Sequence, residues 1–164
     1  MIDTRLRSYQ PKHFATVELV SRKTYAARGE KALQLLDPRI LISGDTLREE
    51  LTALNPDKTE MGALTCNDWY FGGKNQYRGY RAGGEPYYGS YSAHAGRALD
   101  LVSKYHTAEF LREFIIKNRE KFPYVTRLEG DVNWLHMDCN NLPSNAPRPD
   151  SIMIVYPDGS FKYV

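Results

Sequence analysis

Tyr91-Ser92-Ala93-His94-Ala95-Gly96-Arg97-Ala98-Leu99-Asp100-Leu101-Val102 decides how the chain is read. Its first half is small and polar, the composition of a loop. Its second half, Ala98 to Val102, is an apolar run broken by one carboxylate and reads as a strand. A second histidine stands downstream in Trp134-Leu135-His136-Met137-Asp138, of which Trp134 to Met137 read as another strand. Two imidazoles and one carboxylate, His94, Asp100 and His136, make a three-ligand set for a catalytic zinc, with a fourth position open to water. Polar residues at such spacing also occur in ordinary surface loops, so the spacing alone does not establish a site.

Upstream of this stretch, Phe14, Val17, Leu19, Val20, Tyr25, Ala32, Leu33, Leu35 and Leu36 recur at helical intervals. They predict helix over about residues 13–36, divided at Gly29 and stopped by Asp37-Pro38. A second helix is expected over about 45–54, capped by Ser43 or Asp45, with Leu47, Leu51 and Leu54 on one face. Leu64-Thr65-Cys66 reads as a strand. Residues 67–90 then lose all periodicity. They hold Trp69, Tyr70, Phe71, Tyr77, Tyr80, Tyr87 and Tyr88 among glycines and the cations Lys74, Arg78 and Arg81. So much aromatic area is wasted on a floppy linker, so this is expected to be a long ordered loop forming one wall of a cleft.

Downstream, Thr107 can cap a helix over about 107–120, with Ala108, Leu111, Phe114 and Ile115 inward. Tyr124–Leu128 and Trp134–Met137 read as strands. Ser151–Tyr156 and Phe161–Val164 flank Pro157-Asp158-Gly159-Ser160, a hairpin signal. The order predicts an α+β fold: a mostly antiparallel sheet with N-terminal helices and one helix packed on it.

At 164 residues the chain has the length of one domain, and 41% hydrophobic with 26% charged residues fits an ordinary globular protein. A net charge of +2 is too small to argue for nucleic acid as a partner. The N-terminus shows no apolar signal segment and no run reaches membrane-spanning length. Synthesis in the cytoplasm without a signal peptide, and no membrane partner, are therefore expected. Cys66 and Cys139 are expected to be buried reduced thiols. The oligomeric state is not written in the sequence.

Taken together, Ser92-x-His94, Gly96-x-Ala98-x-Asp100 and Trp134-x-His136-x-Asp138 resemble the zinc-dependent D-Ala-D-Ala carboxypeptidase and L-alanyl-D-glutamate peptidase family, which shares a fold with the hedgehog signalling domain. More narrowly, the chain resembles a group of small phage-encoded members. Asp37-Pro38, Leu47-Arg48-Glu49, Asn67-Asp68-Trp69-Tyr70 with Gly72-Gly73, and Tyr77-Arg78-Gly79-Tyr80-Arg81 extend the resemblance over about residues 14–142. It implies a hedgehog-like fold and Zn2+ held by His94, Asp100 and His136. It further implies Arg81 facing substrate oxygens, and a peptidoglycan peptide as substrate. Asp138 shares the strand face of His136 and is expected to orient it.

Two departures stand out. His94 and Asp100 are one residue closer than in the family, so Ala95-Gly96 must absorb the difference, because one residue turns a strand side chain to the other face. Asn133 occupies the place of the family's catalytic acid, three residues before His136, and cannot take a proton. Glu129 and Asp131 are the available replacements, one of them turned into the cleft by a bend at Gly130. The expected activity is a peptidoglycan peptidase, a phage endolysin or virion-associated wall hydrolase that acts after release or from the particle. The alternatives are a non-catalytic wall-binding or structural module that keeps the fold, and a Tyr/Arg/Gly loop that stacks on single-stranded nucleic acid.

Overall fold

The computed structural model describes residues 3–89 and 92–164. Ser90 and Tyr91, at the end of the aromatic segment, lie outside the described residues. Helices α1 (Thr16–Leu19), α2 (Arg22–Arg28), α3 (Pro38–Leu54) and α4 (Ala108–Lys117) accompany five strands. The strands are β1 (Ala98–Leu101), β2 (Arg127–Glu129), β3 (Leu135–Asp138), β4 (Met153–Val155) and β5 (Phe161–Tyr163). They form one mixed sheet in the order β1-β3-β2-β4-β5, in which β2 and β4 run parallel and every other pair is antiparallel. Among the described residues, no helix is long and apolar enough to cross a membrane.

The N-terminal helical region is more broken than its periodicity suggests. Val20 leaves the helix to form a bridge with Tyr80, and the Ser21 hydroxyl then accepts the Thr24 amide at 3.1 Å to start α2. Gly29, at φ +57°, ends α2 as expected, and Gly29–Leu35 continue as a seven-residue 3-10 helix. Asp37-Pro38 does more than stop a helix. Asp37 accepts the Arg39 amide at 2.9 Å and Pro38 occupies the first turn, so α3 starts here and runs 17 residues. Ile40-Leu41-Ile42 is therefore helical, and neither Ser43 nor Asp45 is a cap. Instead the buried Asp45 carboxylate accepts hydrogen bonds from Tyr9 Oη (2.8 Å) and the amides of Lys12 (2.6 Å) and His13 (3.2 Å), stapling the N-terminal segment to α3.

The strands fall close to expectation. Leu64-Thr65-Cys66 shrinks to a single bridge between Thr65 and Val102. Strand β2 begins at Arg127 rather than Tyr124, because Val125 is still turning back on Phe122. The C-terminal hairpin pairs Met153 with Tyr163, and Gly159 takes φ +83° in its turn. Thr107 caps α4 by accepting the Phe110 amide at 3.2 Å. Leu111 and Ile115 of α4, Leu41, Leu47 and Leu51 of α3, and Leu99, Leu101, Leu128, Leu135 and Met137 of the sheet share one core. Gly44 lets α3 close on the sheet: a β-carbon there would meet Leu99 Cδ1 at 3.3 Å.

Candidate metal centre

Strand alternation sets the site. With Leu99, Leu101, Leu135 and Met137 facing the core, Asp100, His136 and Asp138 share the opposite face. Asp100 and His136 are direct cross-strand partners in the antiparallel β1–β3 register. His136 Nδ1 lies 2.7 Å from Asp100 Oδ1. On its other side, His136 Nε2 lies 3.3 Å from Asp138 Oδ2, the orienting contact expected of Asp138.

His94 arrives from the loop. Its Nδ1 donates to the Gly79 carbonyl at 2.8 Å, which leaves Nε2 facing Asp100 Oδ2 at 3.2 Å. The Gly79 carbonyl is fixed in turn by a close approach of two chain segments. A β-carbon at Gly79 would sit 2.1 Å from the Leu19 carbonyl oxygen, and Tyr80 N donates to that oxygen at 2.8 Å. Between His94 and Asp100 the chain turns at Gly96. It adopts φ +107°, its carbonyl accepts the Asp37 amide at 2.7 Å, and a β-carbon would lie 2.2 Å from Leu35 O.

The result is a convergent group in which one donor atom from each of His94, Asp100 and His136 lies within 4.8 Å of the others. Each imidazole has its outer nitrogen engaged, His94 by a carbonyl and His136 by a carboxylate, and its inner nitrogen turned to Asp100. This donor set fits a divalent metal ion, and two nitrogens plus one carboxylate oxygen suit zinc or its neighbours. Burial disfavours the His136 imidazolium, but Asp100 and Asp138 outweigh it and push the imidazole up to about 10. Burial alone would raise the Asp100 pKa, yet hydrogen bonds from His136 and His94 carry it well below the usual carboxylate range. A metal ion held here would compete with a proton for the His136 nitrogen that faces Asp100.

Arg81 is brought to the same place. Its Nη2 lies 3.1 Å from Asp100 Oδ2, its Nε donates to the Tyr77 carbonyl, and its guanidinium lies 5.8 Å from the Tyr87 ring centre. His94, His136, Asp100, Arg81, Glu129 and Trp134 line one cavity of about 480 Å³. Asp131, two residues beyond Glu129, does not join them. It is exposed, adopts φ +56°, and lines a separate depression with Tyr156 and Asp158. The bend thus falls at Asp131, not at Gly130, whose amide stays in the sheet on the Val155 carbonyl. Glu129 remains on β2 and keeps the face of the metal group. Asn133 is exposed and lies outside this cavity.

One residue the sequence did not announce holds this arrangement. Arg112 on α4 is buried, and its Nη1 donates to the carbonyls of Glu129 (3.2 Å), Val132 (3.1 Å) and Trp134 (3.2 Å). Glu109 Oε2 accepts from Arg112 Nε and Nη2 at 3.0 and 2.8 Å. The turn carrying Glu129 and Trp134 is thereby clamped to α4. A charged residue inside a helical period gives no sign that its targets are backbone carbonyls.

In the aromatic segment, Trp69 is buried with its Nε1 on the Val20 carbonyl at 2.8 Å, while Tyr70, Phe71 and Tyr87 are exposed. Cys66 and Cys139 are buried free thiols, and burial pushes Cys139 up to about 12. His13 and His106 lie outside the metal group. No family model, curated protein or solved structure matches the chain.

Proposed function

We propose that this chain is a zinc peptidase acting on the peptide part of bacterial peptidoglycan, with the fold of the D-Ala-D-Ala carboxypeptidase, L-alanyl-D-glutamate peptidase and hedgehog group. The observation that carries the reading is the anchored His94–Asp100–His136 group opening on a cavity that also holds Glu129 and Arg81. His94, Asp100 and His136 would hold the ion. When bound, zinc supplies Lewis acidity, polarising a carbonyl and making water acidic enough to lose a proton near neutral pH.

The chain's own residues supply the rest. Glu129 takes a proton from the attacking water as its oxygen bonds to the scissile carbonyl carbon. It then gives that proton to the leaving nitrogen as the carbon–nitrogen bond breaks. Arg81 donates hydrogen bonds to a substrate carbonyl or carboxylate oxygen, a task suited to a planar cation held from behind by Asp100 and the Tyr77 carbonyl. Arg112 keeps Glu129 in place. The setting would be wall opening by a phage lysin or a particle-borne protein.

The test joins metal content to wall chemistry. Purified protein should take up stoichiometric zinc and release new amino groups from purified sacculi, with chelator abolishing the release and zinc restoring it. Absence of zinc uptake sinks the proposal. Stoichiometric zinc without amine release favours the second reading, a wall-binding module without catalysis. That reading draws support from Asn133, an exposed amide where the family has its acid.

A further inference from the structure

The turn beside the metal cavity puts the wrong residue in a demanding place. Glu85-Pro86-Tyr87-Tyr88 closes through the Tyr88 amide, which donates to the Glu85 carbonyl at 3.2 Å. Proline in second place with a left-handed residue in third is the type II pattern, and that third place belongs to glycine or asparagine. Here it holds Tyr87, at φ +62°. Glycine is not scarce nearby, since Gly83, Gly84 and Gly89 surround it. A left-handed backbone is unfavourable for a side chain with a β-carbon. Burial does not offset that, because Tyr87 is 80% exposed. The turn persists because it is held from behind. The buried Glu85 carboxylate accepts the Ser21 hydroxyl and the Ala82 amide, the latter at 2.6 Å.

What Tyr87 touches is Arg81. Its ring centre lies 5.8 Å from the guanidinium carbon, and its carbonyl accepts Arg81 Nη1 at 3.4 Å. Tyr87 also lines both the metal cavity and an adjoining depression of about 610 Å³, with Arg81 and Asp100 common to the two. The remaining contacts of Arg81 are of two kinds. Nε donates to the Tyr77 carbonyl, a backbone atom. Nη2 lies 3.1 Å from Asp100 Oδ2, which also faces His94 Nε2 at 3.2 Å. A metal ion held by Asp100 draws on that same carboxylate and loosens its hold on Nη2. The guanidinium then depends on Tyr77 at one end and on Tyr87 at the other.

We propose that Tyr87 is a positioning residue for Arg81. The strained turn sets its ring against the guanidinium and keeps the Arg81 donors at the metal cavity once Asp100 is engaged. The attraction of the ring face for the cation supplies the hold. The bearing on catalysis rests on the peptidase reading; the hold on Arg81 does not.

Two variants separate ring from backbone. Tyr87→Asn is at ease in the left-handed region and discards the ring, while Tyr87→Phe keeps the ring and discards the hydroxyl. The direct readout is exchange of the Arg81 Nε–H with water, followed by nitrogen-15 NMR, the signal being assigned by its loss in Arg81→Lys. In zinc-loaded Y87N this exchange should be about tenfold faster than in the wild type, and in Y87F unchanged. Without zinc the same order should hold with a smaller spread, because Asp100 still shares Nη2. Release of amino groups from sacculi should be about tenfold slower in Y87N and unchanged in Y87F. The melting temperature of Y87N should equal or exceed that of the wild type, since strain is relieved and little burial is lost. Unchanged exchange in Y87N, or exchange as fast in Y87F as in Y87N, overturns the proposal. So does a Y87N melting temperature several degrees lower, which would make the ring a prop of the fold. A protein that takes up no zinc or leaves sacculi intact fails the peptidase reading instead, and the metal-free exchange rates still decide the hold on Arg81.

Discussion

Adjacent residues on β1 and β3 have opposite roles although both sets are largely buried. Leu99, Leu101, Leu135 and Met137 are each 0% exposed, and Asp100 and Asp138 on the other face are only 8% and 3% exposed. Burial therefore does not separate core from site. What separates them is where the polar atoms go. The apolar face needs no partners, and each side chain on it contributes roughly 1.5–3 kcal/mol by leaving water. On the polar face, both nitrogens of His136 and both oxygens of Asp100 and Asp138 are engaged. The apolar face holds the strands rigid, and that rigidity keeps the donors aimed at one point.

The largest expected effect breaks only the polar face. His136→Ala should take zinc uptake from stoichiometric to none and remove any wall-degrading activity. Far-ultraviolet circular dichroism should stay as in the wild type, because no core contact is lost. Retained stoichiometric zinc in that variant would exclude His136 from the site.

Next comes the proton carrier. Glu129→Gln keeps the shape and removes the base, so turnover should fall ~10²-fold or more with zinc still bound. Asp131→Asn should leave turnover unchanged, since Asp131 lines a different depression. Equal loss in both variants, or loss only in Asp131→Asn, would contradict the geometry of the β2–β3 turn.

The opposite face is broken by Leu99→Ala. The side chain is fully buried between α3 and the sheet, so unfolding in denaturant should need ~2–5 kcal/mol less. Zinc affinity in the folded fraction should change little. A loss below ~1 kcal/mol would mean that the face is not close-packed.

These predictions follow the boundary of what the sequence made legible. The Asp138 partner and the core faces of the strands were readable because side chains alternate with period two, whereas His94, Asp100 and His136 were grouped by the resemblance, since His94 lies in a loop. Thr107 and the Pro157–Ser160 turn were readable from local chemistry. Asp37-Pro38 was read as an end and proved to be a beginning, since an Asp cap and a Pro at the first turn look alike from either side. Glu129 and Asp131 could not be ranked, because both lie on the same parity. The strand stops at Glu129, and the left-handed backbone of Asp131 turns it away. The Gly79 carbonyl and the Arg112 clamp were invisible because their partners are backbone atoms, which carry no residue identity.

The smallest effect sharpens the comparison within the polar face itself. His94 and His136 are anchored differently: one by the Gly79 carbonyl at 2.8 Å, which no substitution removes, the other by the Asp138 carboxylate at 3.3 Å. Asp138→Asn keeps an acceptor of the same size but discards the charge that makes the ring a stronger donor to a metal. Zinc affinity, measured by competition with a chromophoric chelator, should weaken about 10–100-fold. The long contact places the expectation toward the lower end of that range. Asn140 N donates to the other Asp138 oxygen at 3.0 Å, so the substituted amide must keep its oxygen on one of these two donors and turn its NH2 to the other. If it keeps Asn140, His136 loses its anchor and the upper end of the range applies. Unchanged affinity would show that the β1–β3 register alone holds the His136 ring, with no help from its neighbour two residues on.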